Sequence, residues 1–241
     1  MAALGVLARR LFHRLPDPAQ ARIRRTVRPV RWGNLRRLEP VDPIWGFGRG
    51  TPVDRLYIAE FLARHAADVR GHVLEVGSDR YVREHRARIT KVDIVDVVAE
   101  NPHATIIADV ADVNSLPAGT FDCVVITQTL QYVRDLDAAF ANLWQSLAPG
   151  GVVLLSIPAL AKRDPDERLV DRWRLLPGGL TTLLERTCPE GEVEVVGFGN
   201  VLMAAAAVFG IAAEELTPEE IAAYDAQFPI LTCARLRRPL V

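Results

Sequence analysis

From residue 72 onward the apolar positions fall into short runs, and these alternate with stretches of helical period. Four to six apolar residues bounded by turn residues read as buried strands, because a parallel sheet covered on both faces needs no alternation. The runs predict strands at 72–76, about 89–95, 104–108, 122–127 and 152–157. A helix or turn occupies about 80–87. A helix covers 135–148, with Asp135 as N-cap and Leu136, Phe140, Leu143 and Leu147 in register, and Pro149-Gly150-Gly151 ends it. Upstream, Thr51 is placed to cap a helix over roughly 52–66, with Pro52 at its first position, Asp54 in its first turn and Val53, Leu56, Tyr57 and Phe61 on one face. The last third predicts a helix at 179–186, a strand at 193–196, an Ala-rich helix at 201–215, a helix start at 216–220 and a final strand from Pro229 to Leu236. The alternation predicts an α/β fold: a seven-stranded, mostly parallel sheet with a C-terminal antiparallel hairpin and helices on both faces.

Charge changes the picture at the N-terminus. Residues 1–37 carry ten arginines and one aspartate, a net +9, so the other 204 residues carry −10 of the overall −1. Leu4, Leu7, Leu11 and Leu15 recur at helical spacing among Arg9, Arg10, His13 and Arg14, predicting a short basic amphipathic helix over 2–15. Residues 16–43, rich in proline and arginine, read as an irregular connection. The domain division is therefore a basic arm, 1–43, and a catalytic-size body, 44–241. An anionic membrane surface is the expected partner of residues 1–37, and packing on the protein itself and a solvated tail are the alternatives. Nucleic acid is disfavoured, because the body is acidic and no reader motif is present. Cys123, Cys188 and Cys233 lie far apart with no CxxC spacing, which implies no zinc site or disulfide framework and fits the cytoplasm, with peripheral membrane association through the arm. No apolar run reaches the ~18–20 residues of a membrane span.

In an open α/β sheet the ligand sits beyond the carboxyl ends of the strands. Four polar features fall there. Strand 1 runs into Glu75-Val76-Gly77-Ser78-Asp79, strand 2 ends near Asp93 or Asp96, strand 3 ends at Asp109, and strand 4 runs into Thr127-Gln128-Thr129-Leu130-Gln131-Tyr132. An acid after strand 2 accepts from both hydroxyls of a ribose, and Asp109 from the exocyclic amine of adenine, which points to an adenosine-containing ligand. Ahead of the sheet, Trp45-Gly46-Phe47-Gly48-Arg49-Gly50 interleaves aromatics and glycines, a composition that suits a lid over a substrate or a plug at the core edge.

Residues 73–158 resemble class I S-adenosylmethionine-dependent methyltransferases. The resemblance rests on Leu74-Glu75-Val76-Gly77, Asp109, Leu116-Pro117, Phe121-Asp122 and Leu147-Ala148-Pro149-Gly150-Gly151. Over about 44–236 the chain is similar to a narrower group, the methyltransferases found with bacterial glycosyltransferases in polysaccharide biosynthesis. That likeness rests on Trp45-Gly46-Phe47, Arg49-Gly50-Thr51-Pro52, Thr127 to Gln131, Asp171-Arg172-Trp173-Arg174 and Gly199-Asn200-Val201-Leu202. It implies a Rossmann-like fold and S-adenosylmethionine as cofactor. Glu75, Gly77, Ser78 and Asp79 would lie at the methionine end, Asp93 or Asp96 at the ribose, Asp109 and Val110 at the adenine, and Thr127 and Gln128 beside them. The broad family has two further glycines where this chain has Asp79 and Tyr81, and the narrower group lacks them too.

The expected reaction is O-methylation of a sugar or glycan-linked metabolite, with Trp45, Arg49, Asp54, Arg55, Gln131, Tyr132 and Trp173 toward the acceptor. The catalytic base is not assigned; His85 and His103 are weak candidates. No HxxxD set or DPPY-type motif is present, so metal-assisted catechol chemistry and base methylation are disfavoured. The alternative is a non-catalytic scaffold that keeps the fold. An NAD-dependent oxidoreductase is disfavoured, because Asp79 would repel a pyrophosphate.

Overall fold

A computed structural model describes residues 12–166 and 168–240. The expected helix over 2–15 lies almost wholly outside the described residues. The chain divides into two compact units, Met1–Glu39 and Pro40–Val241. Residues 40–43 thus belong to the body: Val41 and Asp42 donate their N–H groups to the carbonyl of Phe209.

The smaller unit holds helix α1, Asp17–Val27. This corrects the expectation of an irregular 16–43 segment. Pro16 and Pro18 sit at the start of the helix, where no intrahelical N–H is lost, and Asp17 lies in the first turn with Arg24 and Arg25 in the last, as the helix dipole favours.

The larger unit is built on one seven-stranded sheet in the order β3-β2-β1-β4-β5-β7-β6. The strands are β1 Gly71–Val76, β2 Ile89–Asp96, β3 Ile106–Ile107, β4 Phe121–Thr127, β5 Leu147–Pro158, β6 Glu192–Phe198 and β7 Leu231–Arg237. The first five are parallel, and β7 runs antiparallel to both β5 and β6. This is the expected sheet with its C-terminal hairpin. Helices α3, Leu136–Ser146, and α4, Pro177–Thr187, cover one face, on Leu74, Val124, Ile126 and Leu155. Helices α2, Val53–Arg64, and α5, Val201–Phe209, cover the other, on Val73, Cys123, Val125 and Leu154. Alternate residues of each apolar run therefore feed opposite cores. A short helix, α6, spans Pro218–Ala222.

Asp135 caps α3 through its side chain, as expected, accepting from Ala138 N at 3.0 Å. Glycine is required at position 151 within β5: a Cβ on Gly151 would lie 2.6 Å from the carbonyl oxygen of Phe121. Two local expectations are corrected. Thr51 does not cap α2; its N–H and hydroxyl both bond the carboxylate of Glu214. The Ala-rich helix ends at Phe209 instead of 215, because Gly210 takes a left-handed turn at φ 69°.

Candidate functional site

The carboxyl ends of β3, β2, β1 and β4 lie side by side, with Asp96 paired to Ile107, Val76 to Val95, and Glu75 to Val125. The turn after β1 starts at Gly77, whose φ of 77° suits glycine. Asn101 fastens this turn to the next strand end, donating from Nδ2 to Gly77 O at 2.7 Å and to Asp96 Oδ2 at 2.6 Å. A Cβ on Gly77 would meet only Asp96 Oδ2, at 4.0 Å, so the backbone is open to close approach.

Glu75 is buried, and its carboxylate accepts from the N–H of Tyr81 and of Val82, both at 3.0 Å. It shapes the turn from inside. Burial pushes its pKa up to about 7, and the two N–H donors hold it back. The structure also accounts for the residues in place of two glycines. Gly77 is the residue of this turn with positive φ, Tyr81 sits at φ −94°, and Asp79 pairs with Arg86 at 2.5 Å. The backbone past Gly77 is one any residue adopts. Ser78 donates its N–H to Val76 O.

Of the two acids offered by strand 2, the structure brings Asp96 to the edge. Asp93 lies buried further down the strand, bonded to His72 Nε2 at 2.6 Å, Lys91 Nζ at 2.7 Å and Thr105 Oγ1 at 2.9 Å. Lys91, His72 and Thr105 together hold its pKa below the usual carboxylate range against the opposing effect of burial. Asp109 is exposed and closes its own turn on Ala111 N at 2.9 Å. The Val110 side chain is in the core, and its carbonyl accepts from Asn142.

Beyond β4, Gln128 takes a left-handed φ of 48°, a strained conformation for a residue other than glycine and one that concentrates at functional sites. Its side chain reaches Asp54 at the start of α2, with Nε2 donating to Oδ2 at 3.2 Å. Thr127 accepts at its carbonyl from Thr129.

Here a pocket opens, with about 140 Å³ of internal space, lined among others by Trp45, Phe47, Asp54, Arg55, Gln128, Gln131, Tyr132, Lys162, Asp164, Asp171 and Arg174. Burial pushes the Asp54 carboxyl above its ordinary value, opposed by Arg55, whose Nε stands 3.8 Å from Oδ2. Arg55 reaches Tyr81 OH at 3.2 Å, joining the β1 turn to the pocket wall. Tyr132 OH donates to Asp164 Oδ2 at 2.9 Å, and burial with that partner pushes the phenol up to about 12. Lys162 Nζ lies 3.7 Å from the Trp45 ring centroid, and burial lowers its pKa. Trp45 itself has φ 55° and forms the rim, held by Asp42, whose carboxylate accepts from the N–H groups of Ile44, Gly46 and Gly48.

Trp45, Asp54, Arg55, Gln131 and Tyr132 therefore converge on this one pocket. Arg49 and Trp173 do not line the pocket. The Arg49 guanidinium pairs with Glu215, and the Trp173 indole packs on the core and donates to Val133 O at 2.7 Å. His85 and His103 are also absent from the pocket wall. Sequence reasoning missed Lys162 and Asp164, which come from an aperiodic segment. Asp171 and Arg174 it met only within a resemblance motif. The Asp171 side chain is 3% exposed and pairs bidentately with Arg174. Arg174 in turn donates to the carbonyls of Ala161 and Lys162, which positions the Lys162 segment. Among the described residues, no group of three metal-ligating side chains is present.

An open glycine turn, an acid one strand over and a pocket past β4 define the class of α/β enzymes that take an adenosine ligand at this edge. The model of the family described as Methyltransferase domain matches residues 53–189, and the chain belongs to this family. No curated protein matches the chain in sequence. In fold it is similar to the N-methyltransferase NodS from Bradyrhizobium japonicum WM9 in complex with S-adenosyl-L-homocysteine. That likeness has a TM-score of 0.52 and 16% identity, over 82% of this chain and 92% of that one. It is also similar to an S-adenosylmethionine-dependent methyltransferase from Mesorhizobium loti, with a TM-score of 0.50 and 20% identity over 75% and 98% of the two chains. A methyltransferase from Archaeoglobus fulgidus gives a TM-score of 0.50 at 14% identity, over 76% and 94%.

The residues present fit S-adenosylmethionine. Gly77 offers an unobstructed backbone, and the half-exposed Asp96 offers a carboxylate beside it.

Proposed function

We propose that this methyltransferase acts on a hydroxyl of a sugar or glycan-linked metabolite, in the setting of polysaccharide assembly in the cytoplasm. The observation that carries the reading is the Gln128–Asp54 contact, which joins the donor edge to a pocket walled by aromatic rings and carboxylates. Aromatic faces with flanking carboxylates suit a polyhydroxylated ring, which presents apolar C–H faces and many donors.

When bound, S-adenosylmethionine supplies a methyl group already activated at a sulfonium centre. The chain's own task is then alignment and proton removal. Gly77, Ser78 and the Glu75-shaped turn receive the methionine end, Asp96 the ribose, and Asp109 with the Val110 backbone the adenine. Asp79, turned to Arg86, acts from the turn's outer side. Trp45 and Tyr132 wall the acceptor and exclude water, and Arg55 and Gln131 orient it. Asp54 takes the hydroxyl proton. Its Oδ2 is held by Gln128, and its pKa is raised toward the range in which a carboxylate is an effective base.

The test is methyl transfer to a panel of nucleotide sugars and oligosaccharides, read by mass spectrometry. A methyl ether on a sugar hydroxyl is expected. Methylation of nitrogen alone would overturn the acceptor assignment. Asp54→Asn should lower kcat by about 100-fold or more and leave affinity for S-adenosylhomocysteine within about twofold.

A further inference from the structure

We propose that the basic arm is a docking element for the surface of an anionic phospholipid bilayer. Two observations within Phe12–Glu39 carry this. The first is charge: Arg14, Arg22, Arg24, Arg25, Arg28, Arg31, Arg36 and Arg37 are all exposed, and none forms an ion pair among the described residues. The second is apolar exposure on the same segment. Val27 is 71% exposed, Val30 72% and Trp32 52%, and Leu38 is fully exposed.

Helix α1 arranges both features. Ala19, Ile23 and Val27 lie four residues apart and share one stripe, with Arg22 and Arg24 on its flanks and Arg25 opposite. The interface of a bilayer takes both parts at once: arginines meet phosphate headgroups, and the stripe with Trp32 enters the acyl boundary. Nucleic acid would satisfy the arginines but leave Val27, Val30 and Leu38 in water. Among the described residues no helix is long and apolar enough to cross a membrane, so the contact is of the surface kind. It does not depend on the acceptor assignment.

The test is co-sedimentation of the full-length protein with phosphatidylcholine vesicles, with and without phosphatidylglycerol, across ionic strength. Binding is expected only with phosphatidylglycerol, weakening as salt rises. The variant Arg22→Glu, Arg24→Glu, Arg25→Glu, Arg28→Glu should lower partitioning at least about 100-fold. Val30→Ser with Trp32→Ser should lower it about tenfold with all charges kept. Unchanged affinity for S-adenosylhomocysteine checks that each variant is folded. Absence of vesicle binding would overturn the proposal. So would full vesicle binding by the Val30→Ser, Trp32→Ser variant together with equally tight binding to an oligonucleotide, since that is charge attraction to any polyanion.

Discussion

At the residue scale, the site depends on carboxylates whose neighbours set their roles. Asp93, Asp96, Asp54 and Glu75 are alike in the sequence. In the fold, Asp93 is consumed by three donors, Asp96 faces the open turn, Asp54 stands at the pocket and Glu75 is sealed beneath. Glu75 leads to a pH prediction. Its pKa rises from an ordinary 4.5 to about 7 on folding, so the native state holds the proton that the unfolded state has lost between those values. Stability should therefore fall as pH rises through that window, by up to about 3 kcal/mol from this group. Urea denaturation at pH of about 5 and about 8 checks this; Glu75→Gln should flatten the difference, and an unchanged difference would assign the pH dependence elsewhere.

At the element scale, two side chains hold short segments in place, Asp42 at the pocket's rim and Asn200 at the start of α5. Asp42 is buried and accepts three backbone N–H groups of the Trp45 turn. Asp42→Ala would leave those donors unsatisfied, costing roughly 1–3 kcal/mol and raising the acceptor KM more than the donor's. Thermal denaturation and the two KM values check it. Asn200 caps α5 by accepting from Leu202 and Met203, and it donates to the carbonyls of Glu220 and Ala223. Asn200→Ala should cost about 1–2 kcal/mol, read as a lower denaturation midpoint with little change in donor affinity.

The elements also show what was legible beforehand. Strands β1, β2, β4 and β5 stood out as continuous apolar runs, and α3 announced itself by Asp135 and its apolar stripe, because those signals are local. Strand β3 shrank to two residues, since only Val95 and Asp96 offer it a partner. The arm helix was missed because its prolines read as breakers, although proline at a helix start loses nothing. At the site, Arg49 and Thr51 were misassigned because Glu214 and Glu215, their partners, lie more than 160 positions along the chain. Lys162 and Asp164 carried no periodic signal at all, and their place follows from Arg174 and Asp171 closing the loop around them.

At the scale of the whole molecule, the chain joins a basic arm to an acidic methyltransferase body, and the roles proposed for them are placement for the arm and chemistry for the body. The division predicts that arm substitutions change partitioning between vesicle and solution without changing turnover of a soluble acceptor. The central claim concerns the body: the open ends of β1 to β4 hold a methyl donor beside a pocket for its acceptor. Isothermal titration of S-adenosylhomocysteine into wild type and Asp96→Ala tests it most directly. Saturable heat in the wild type, with affinity lowered at least about tenfold in the variant by loss of a charged hydrogen-bonding partner, is the expected result. Absence of heat in the wild type at millimolar ligand, or equal affinity in the two proteins, would contradict the account.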